Sequence, residues 1–473
     1  MQSPNGSTSP LADLEERYRA RSLWLDGVPA PLAPRPSLPG DVDCDVAIVG
    51  AGFTGLWTAY HLARNAPDMR IVVVEREIAG FGPSGRNGGW VSGGLVGSAG
   101  SYERTHGRDG VVRAIRETHA AVDHVAEVVE REGIDCGFLK RGSLFTATSE
   151  PQRQRLLAGH RELEELGIGP EDARLLAGAE SNAIVRVEGC LQATFTPHAA
   201  RVDPGRLARG LADACERLGV TIHERTAATA IAPGRVSTPL GTVSAGIVLQ
   251  ATEAYSVQLP HQRLRYLPLY SLMIATEPLP DHVWDELGWT DGVLVSDSRY
   301  LFFYAQRTAD GRIALGGRGA PYQLRNPIDE ANERNAEVRG RLERAIQRHF
   351  PAAARAAITH HWGGPLGVPR DWSMAIHFDR AQGLGWAGGY AGHGVVAANI
   401  SGRTLADLVL GRDTDLVHLP WVGHRSRRWE PEPLRFVASR AIVRVLGSAD
   451  RAEDATGRRA RRTRLLAPVL PPH

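Results

Sequence analysis

Glycines at fixed spacing and one acidic residue give this chain the chemistry of a dinucleotide site. Gly50, Gly52 and Gly55 form the pattern G-x-G-x-x-G after a short apolar run. The first glycine of such a pattern permits a tight turn, the second lets a pyrophosphate approach the backbone, and the third lets a helix pack closely on a strand. Glu75 ends the next apolar run, where a carboxylate can accept hydrogen bonds from a ribose diol and disfavours a 2′-phosphate. The pattern therefore predicts NAD or FAD rather than NADP.

Two further glycine-rich segments favour FAD over NAD. The segment GPSGRNGG, residues 82–89, follows the ribose acid directly, where a simple NAD domain continues with more strand–helix units. A loop so rich in glycine can lay its N–H groups along a diphosphate or a flat ring. The segment GGYAGHG, residues 388–394, opens another helix far along the chain. Two such turns suit a long two-part cofactor, and the alternative is that the second turn only caps its helix.

Aromatic and basic residues near these segments are candidates for contact with a substrate. The candidates are Trp90, Tyr266, Tyr270, Tyr300, Phe303, Tyr304, Arg318 and His393. Core packing is an alternative for each aromatic residue, since aromatics dominate protein cores. Arg318 can bind a carboxylate through two hydrogen bonds or have a structural role. His393 can line the site or cap its helix. His360 and His361 have no partner ligands at useful spacing, so no metal is expected.

These residues need a strand–helix–strand unit to position them. DVAIVG and RIVVVE are apolar runs typical of buried parallel strands, and FTGLWTAYHLARN between them has helical spacing. Together they predict a right-handed βαβ unit. Further predicted elements are a helix then a strand in 203–224, a strand in 246–256, antiparallel strands in 262–319, a solvated helix in 326–350, and a strand, glycine turn and helix in 383–411.

Near Gly385 the chain again shows the strand, glycine turn and helix that are typical of a nucleotide-binding domain. This recurrence predicts two interleaved domains. The fold class is α/β, α+β overall: a Rossmann-like FAD-binding domain interleaved with an antiparallel-sheet substrate domain. The expected divisions are an extended N-terminal arm over 1–40, a discontinuous FAD-binding domain over 41–137, 181–258 and 363–430, a substrate domain over 138–180 and 259–362, and a C-terminal helix with a solvated basic tail over 431–473.

Composition restricts the class of protein. The 473 residues are 42% hydrophobic and 23% charged, as in soluble globular proteins, and a net charge of +2 indicates neither nucleic acid nor an anionic membrane as a partner. Cys44, Cys136, Cys190 and Cys215 lie far apart, which favours reduced thiols over disulfides or zinc. With no signal-peptide order in the first twenty residues and no apolar run long enough to span a membrane, we expect a cytoplasmic protein.

The chain resembles the FAD-dependent amine and amino-acid oxidoreductases of the D-amino-acid oxidase superfamily, and within it the γ-glutamylputrescine oxidoreductase-like proteins. The resemblance rests on DVAIVGAGFTGLWTAYHLA, on SGRNGG after the ribose acid and on AGGYAGHGV, and it covers most of residues 20–450. IATEPL, RIALGGRG and RWEPEPLRF reinforce it. One departure is Glu253, which stands where relatives usually carry glycine or asparagine.

The resemblance implies which residues hold the cofactor. They are Gly50, Gly52, Phe53, Thr54, Gly55, Glu75 and Arg76 for the ADP half; Ser84, Gly85, Arg86, Asn87 and Gly88 along the diphosphate and isoalloxazine; and Ala251, Thr252, Gly389, Gly392, His393, Gly394 and Val395 from the later segments. A helix beginning at this last turn would place its positive end near the flavin. Relatives that bind FAD covalently use a cysteine or histidine at positions that this chain does not match, so we expect non-covalent FAD.

The implied reaction is oxidation of an amine or amino acid at the carbon next to nitrogen. It proceeds by hydride transfer to flavin N5, and the imine then hydrolyses to an aldehyde or ketone. Oxygen is the expected acceptor, giving hydrogen peroxide. Two alternatives stay open: a dehydrogenase that passes electrons to a protein or quinone, and a non-catalytic flavin-binding partner protein. Lys140 is the only lysine and lies outside the expected flavin-facing segments, which favours the dehydrogenase; self-association also stays open.

Overall fold

Two eight-stranded sheets and one three-stranded sheet organise the chain. The computed structural model describes residues 10–289, 292–320, 322–325 and 328–466. The strands are β1 (Val42–Val49), β2 (Ile71–Val74), β3 (Trp90–Ser92), β4 (Leu139–Lys140), β5 (Ser143–Ala147), β6 (Arg174–Ala177), β7 (Gln192–Thr196), β8 (Ala199–Arg201), β9 (Thr221–His223), β10 (Ala230–Ala232), β11 (Arg235–Thr238), β12 (Gly241–Gln250), β13 (Leu267–Thr276), β14 (Leu294–Asp297), β15 (Phe303–Arg307), β16 (Ile313–Gly317), β17 (Ile358–Val368), β18 (Ala375–Asp379) and β19 (Leu384–Gly388). The α-helices are α1 (Pro10–Arg19), α2 (Leu23–Asp26), α3 (Phe53–Asn65), α4 (Ala99–Arg131), α5 (Glu150–Glu165), α6 (Gly178–Asn182), α7 (Pro204–Arg217), α8 (Asp281–Leu287), α9 (Ala336–His349), α10 (Gly394–Leu410) and α11 (Leu434–Thr456).

The first sheet contains the predicted Rossmann-like unit. Its strands follow the order β10-β11-β12-β1-β2-β9, with β19 beside β12 and β18 beside β19. The pairs that β1 forms with β2 and β12, and that β12 forms with β19, are parallel. Val46 and Ile48 of β1 face one apolar cluster, while Ala47 and Val49 face another. Both faces of the sheet are therefore covered, as parallel sheets require.

The second sheet is the predicted antiparallel one. Its order is β17-β13-β16-β15-β14-β5-β7-β6, and among these neighbours only β14 and β5 run parallel. Helix α9 packs Val338, Leu342 and Ile346 into a cluster with Leu272 and Ile274 of β13. Together the two large sheets confirm the predicted fold class.

The N-terminal segment differs from the predicted extended arm, because its residues 10–26 form helices α1 and α2. Leu14 and Tyr18 lie one helical turn apart and pack with Leu25 against Phe81. Ser22 caps α2 by accepting the Leu25 N–H at 3.1 Å. Proline and serine content indicated an arm, whereas this apolar spacing sets the structure.

Strand pairing also differs from two predicted domain divisions. Strand β7 pairs with β5 and β6, and all of β17 pairs with β13, so both belong to the second sheet. The predicted divisions at 181 and 363 assigned β7 and the end of β17 to the first domain. Apolar content cannot distinguish these strands, because partner choice depends on register and long-range packing.

The remaining differences are at element ends. The helix predicted over 326–350 is α9, and it starts late because the Asn335 side chain accepts the Val338 N–H at 3.0 Å. Residues 326, 327 and 467–473 lie outside the described residues. Arg458, Arg459, Arg461 and Arg462 after α11 are exposed, but Ala460 and Thr463 pack into the protein. Across the described ranges, every helix is too short or too polar to cross a membrane.

Candidate functional site

A cavity of about 1210 Å³ lies where the two large sheets meet. Ordinary ligand sites occupy about 300–1,000 Å³, so this one has room for more than a small substrate. Its walls come from the turn after β1, the loop 81–90, the end of β12, strands β13 and β15, the turn before α10, and α11. All three glycine-rich segments identified in the sequence therefore reach one cavity.

The first glycine turn has the geometry that its spacing predicts. Gly50 has a φ of 107°, and a Cβ on it would lie 2.7 Å from the Ala251 carbonyl oxygen. A Cβ on Gly55 would lie 1.9 Å from the Gly50 carbonyl oxygen, so the helix packs on the turn through glycine alone. Gly52 begins α3 without a side-chain cap of its own, and Phe53 and Thr54 of the first turn line the cavity. The positive end of α3 thus faces the space where a pyrophosphate would lie.

Glu75 is held in place by backbone donors. Its carboxylate accepts the Ala51 N–H at 2.8 Å and the Glu77 N–H at 3.0 Å, and burial raises its pKa. Glu75 lines the cavity beside Arg76, which bonds Gln258 and stacks on Tyr255. Two backbone hydrogen bonds therefore hold this carboxylate at the cavity wall, where the acid of a dinucleotide site stands.

The loop 82–89 turns its carbonyl groups away from the cavity. Six consecutive carbonyls accept hydrogen bonds from protein donors: Pro83 from the Arg86 N–H and Asn87 Nδ2, Ser84 from Asn87 Nδ2, Gly85 from Ser22 Oγ, Arg86 from Trp362 Nε1, Asn87 from Trp24 Nε1, and Gly88 from Gln306 Nε2. In a trans peptide the N–H points opposite to the preceding C=O. The N–H groups of Ser84, Asn87 and Gly88 therefore point away from these donors, and all three residues line the cavity. This arrangement fits a diphosphate or the edge of a flavin ring.

Two side chains of this loop bond to other parts of the protein, and both residues also line the cavity. Arg86 is fully buried, and its guanidinium bonds Glu333 at 2.7 Å, the Gly363 carbonyl at 3.1 Å and Tyr255 Oη at 3.0 Å. Ser84 Oγ accepts the Phe53 N–H at 2.9 Å and so caps α3. Both side chains position the loop.

The turn before α10 closes the opposite side of the cavity. Gly389, Ala391 and Gly392 all have positive φ values, of 83°, 49° and 112°. Tyr390 Oη lies 2.8 Å from Thr54 Oγ1, which joins this turn to α3. The sequence did not single out Tyr390, although it stands inside the quoted motif.

An aromatic chamber lies at the inner end of the cavity. Tyr304 Oη lies 2.7 Å from Ser271 Oγ, and its ring packs 6.1 Å from that of Trp90. A Cβ on Gly88 would lie 2.5 Å from the Tyr304 ring, so glycine is what allows this approach. Of the predicted substrate residues, those that line the cavity are Trp90, Tyr270, Tyr300, Tyr304, Arg318 and His393.

Several predicted site residues do not reach the cavity. Phe303 packs in the core of the second sheet, because it alternates with Tyr304 on β15 and faces the other side. Tyr266 is buried behind the turn before α10, where a Cβ on Gly388 would lie 2.8 Å from its hydroxyl. Gly55, Gly85 and Gly389 serve packing and backbone turns and do not line the wall.

Arg318 has no carboxylate partner among residues 10–289, 292–320, 322–325 and 328–466. Its guanidinium lies over the Phe302 ring at 4.5 Å and near Trp372 at 5.6 Å, in the cavity wall. Burial lowers its pKa to about 10, so it stays charged at neutral pH. His393 keeps exposed surface, and desolvation by its surroundings together with the charge of Arg318 lowers its pKa to about 4, so that imidazole is neutral. A partly buried cation beside an apolar wall favours an anionic partner, which a ligand can supply.

Glu253, the departure noted in the sequence, has a structural role. Its carboxylate accepts the Gly367 N–H at 2.7 Å and the Gly389 N–H at 3.3 Å, and its own φ is 41°. It therefore ties β17 to the turn before α10. Burial raises its pKa to about 7.

This raised pKa predicts a stability that falls as pH rises. The folded protein retains a proton that the unfolded chain releases above pH 4.5, so the contribution of Glu253 is present below that value and is lost as pH rises through 7. Between pH 5 and pH 8 the free energy of unfolding should fall by about 2 kcal/mol at this site, which Glu253→Gln abolishes. Denaturant unfolding at both pH values measures this change, with the half-buried Glu430→Gln as control. Identical pH dependence in wild type and Glu253→Gln would contradict it.

Comparison with known proteins gives related sequences over most of the chain. Residues 45–408 match the model of a protein family described as FAD dependent oxidoreductase, DAO. A probable oxidoreductase OrdL of Rhizobium meliloti is 32% identical over 394 residues, which cover 80% of this chain and 86% of that protein. The γ-glutamylputrescine oxidoreductase of Escherichia coli is 30% identical over 412 residues, covering 84% and 92%.

A solved structure has the same fold. The glycine oxidase of Geobacillus kaustophilus superposes with a TM-score of 0.69 at 22% identity, covering 82% of this chain and 100% of that one. The glycine cradle of the first turn, the acid at Glu75 and the directed N–H groups of the loop 82–89 are features that FAD would use. The residues present therefore fit that cofactor.

Proposed function

This chain belongs to the DAO family of FAD-dependent oxidoreductases, and on that premise we propose that it oxidises an amine that also carries a carboxylate. The substrate class is an amino acid or an N-substituted amino acid, and the bond broken is the C–H next to nitrogen. The imine product would hydrolyse to a carbonyl compound and ammonia or a smaller amine. Bound FAD supplies the two-electron acceptor.

Arg318 is the observation that carries the proposal. Its unpaired guanidinium lies in the aromatic chamber, which Trp90 and Tyr304 wall on one side. A carboxylate held there by two hydrogen bonds would fix the orientation of the neighbouring C–N bond. A neutral His393 leaves Arg318 as the cationic group for that carboxylate.

The site residues would divide into a cofactor set and a substrate set. The cofactor set is the turn at Gly50, Glu75, the backbone of 82–89, and the turn before α10. The N-terminus of α10 would place its positive end where negative charge develops on reduction. None of the four cysteines lines the cavity described here, which supports non-covalent FAD.

For the acceptor we propose oxygen, with hydrogen peroxide formed. A specific observation keeps the dehydrogenase as the second candidate: Lys140 pairs with Asp123 away from the cavity, so no lysine activates oxygen there. A dehydrogenase would pass the electrons to a protein or quinone.

Anaerobic mixing of the purified holoenzyme with matched pairs of compounds tests the proposal. Each pair joins an amino acid to the amine that lacks its carboxylate, such as alanine and ethylamine. We expect the amino acids, and not their partners, to bleach the yellow flavin band. Admitting air then separates the acceptors, because an oxidase recovers its colour quickly and forms peroxide. Bleaching by both members of each pair would refute the carboxylate requirement, and no bleaching by any amine would favour a non-catalytic flavoprotein.

A further inference from the structure

Helix α11 is fixed at both ends across the mouth of the cavity. Before it begins, Glu432 accepts hydrogen bonds from Tyr322 Oη at 2.7 Å and Arg435 Nε at 2.8 Å. Near its end, Asp450 accepts the N–H groups of Tyr300 at 3.1 Å and Leu301 at 3.0 Å. Charged partners at both ends make the helix a fixed wall rather than a lid.

Between these anchors α11 presents an apolar stripe to the cavity. The residues of the stripe are Leu434, Val437, Ala438, Ala441, Ile442 and Val445. Their spacing of i, i+3, i+4, i+7, i+8 and i+11 puts them along one side of a helix. Leu434 and Val437 remain 63% and 61% exposed, so the protein itself does not cover them. Such an uncovered apolar surface indicates a binding function.

The cavity wall beside the stripe is also apolar, and it meets α11 where Leu301 and Ile442 pack in one cluster. It consists of Leu301, Phe302 and Phe145, and Phe145 is 37% exposed. This wall and the stripe enclose one groove, which is continuous with the chamber that contains Arg318. A ligand anchored at Arg318 would therefore have an apolar path outward.

We propose that this groove binds an extended apolar group of the substrate. The inference rests on the proposed function and narrows it: the carboxylate would meet Arg318, and a hydrocarbon chain or ring would lie against α11. A second charged amine in that group is disfavoured, because the stripe offers no ionisable side chain and burial of an unpaired charge is costly. Continuity with the chamber is the reason to assign the groove to the substrate rather than to another protein.

Binding of simple carboxylates to the holoenzyme tests the groove without requiring turnover. Isothermal calorimetry with butanoate, hexanoate and octanoate should give an affinity that rises about 4-fold per methylene, with an increasingly negative heat-capacity change. Leu434→Asp and Ala441→Asp should flatten that rise. The matched control is Leu240→Asp, because Leu240 is 46% exposed and lies outside the cavity lining, and it should leave the rise unchanged.

Each other outcome overturns the inference. A flat series in the wild type means that the groove does not hold the chain, whether or not amino acids bleach the flavin. An unchanged rise in both stripe variants places the chain elsewhere. If Leu434→Asp instead converts a dimer to a monomer in sedimentation while the rise persists, the stripe is an interface between two copies. Failure of the proposed function is seen separately, as amino acids that leave the flavin oxidised.

Discussion

Replacement of Arg318 by leucine should lower kcat/KM for a carboxylate-bearing substrate by two to three orders of magnitude. Truncating one partner of a buried, hydrogen-bonded charge pair costs about 2–5 kcal/mol, and each 1.4 kcal/mol is tenfold. The effect belongs to the carboxylate, so the amine that lacks it should react no more slowly with Arg318→Leu than with wild type. Steady-state kinetics on both members of such a pair measures the difference.

Two controls separate this role from a structural one. Arg370→Leu removes another arginine of the cavity wall, one that already pairs with Glu430 at 3.1 Å, and should change the kinetics little. Loss of the Arg318 charge should also raise the pKa of His393 above its present value of about 4, which a pH titration followed by NMR detects. Equal losses for both members of the substrate pair would show that Arg318 supports the fold instead.

Replacement of Glu333 by glutamine should destabilise the protein by about 3–5 kcal/mol, the cost of removing one partner of a buried ion pair. Glu333 bonds Arg21 at 2.5 Å and Arg86 at 2.7 Å, and all three side chains are buried. The variant leaves two buried guanidinium groups with too little negative charge. Because Arg86 holds the loop 82–89, the affinity for FAD should fall as well.

Glu330→Gln is the matched control for this prediction. Glu330 also pairs with Arg21, at 2.6 Å, but its side chain is 53% exposed. An exposed ion pair contributes about 0–1 kcal/mol. Denaturant unfolding and fluorescence titration with FAD should therefore separate the two variants clearly. Similar losses in both would mean that burial does not set the strength of this network.

The sequence predicted elements better than side-chain directions. β1, α3 and β2 agree with the prediction because β1 and β2 are short apolar runs, α3 has a helical apolar period, and glycines mark the turn between β1 and α3. Phe303 and Tyr304 were equal candidates, yet neighbours on a strand face opposite sides, and only the register of β15 decides which one reaches the cavity.

Long-range partners account for what the sequence could not give. Arg86 lines the cavity, but its ion-pair partner Glu333 lies 247 positions later, and no local pattern in the sequence joins them. Helices α1 and α2 likewise act through Ser22 and Trp24, which hold carbonyls of the loop 82–89. The apolar period of α11 is readable in the sequence, whereas its place at the cavity mouth depends on Asp450 and Glu432.

The donors that bond to the loop 82–89 are synthesised at very different times, so the loop acquires its hydrogen bonds in a fixed order. Ser22 and Trp24 leave the ribosome before the loop, but Gln306 and Trp362, which hold the Gly88 and Arg86 carbonyls, emerge hundreds of residues later. A nascent chain thus has a half-tethered loop for most of its translation. The cofactor is consequently expected to bind late in synthesis, after Trp362 has emerged. A chain truncated before Trp362 lacks the hydrogen bond that holds the Arg86 carbonyl and is expected to bind flavin poorly.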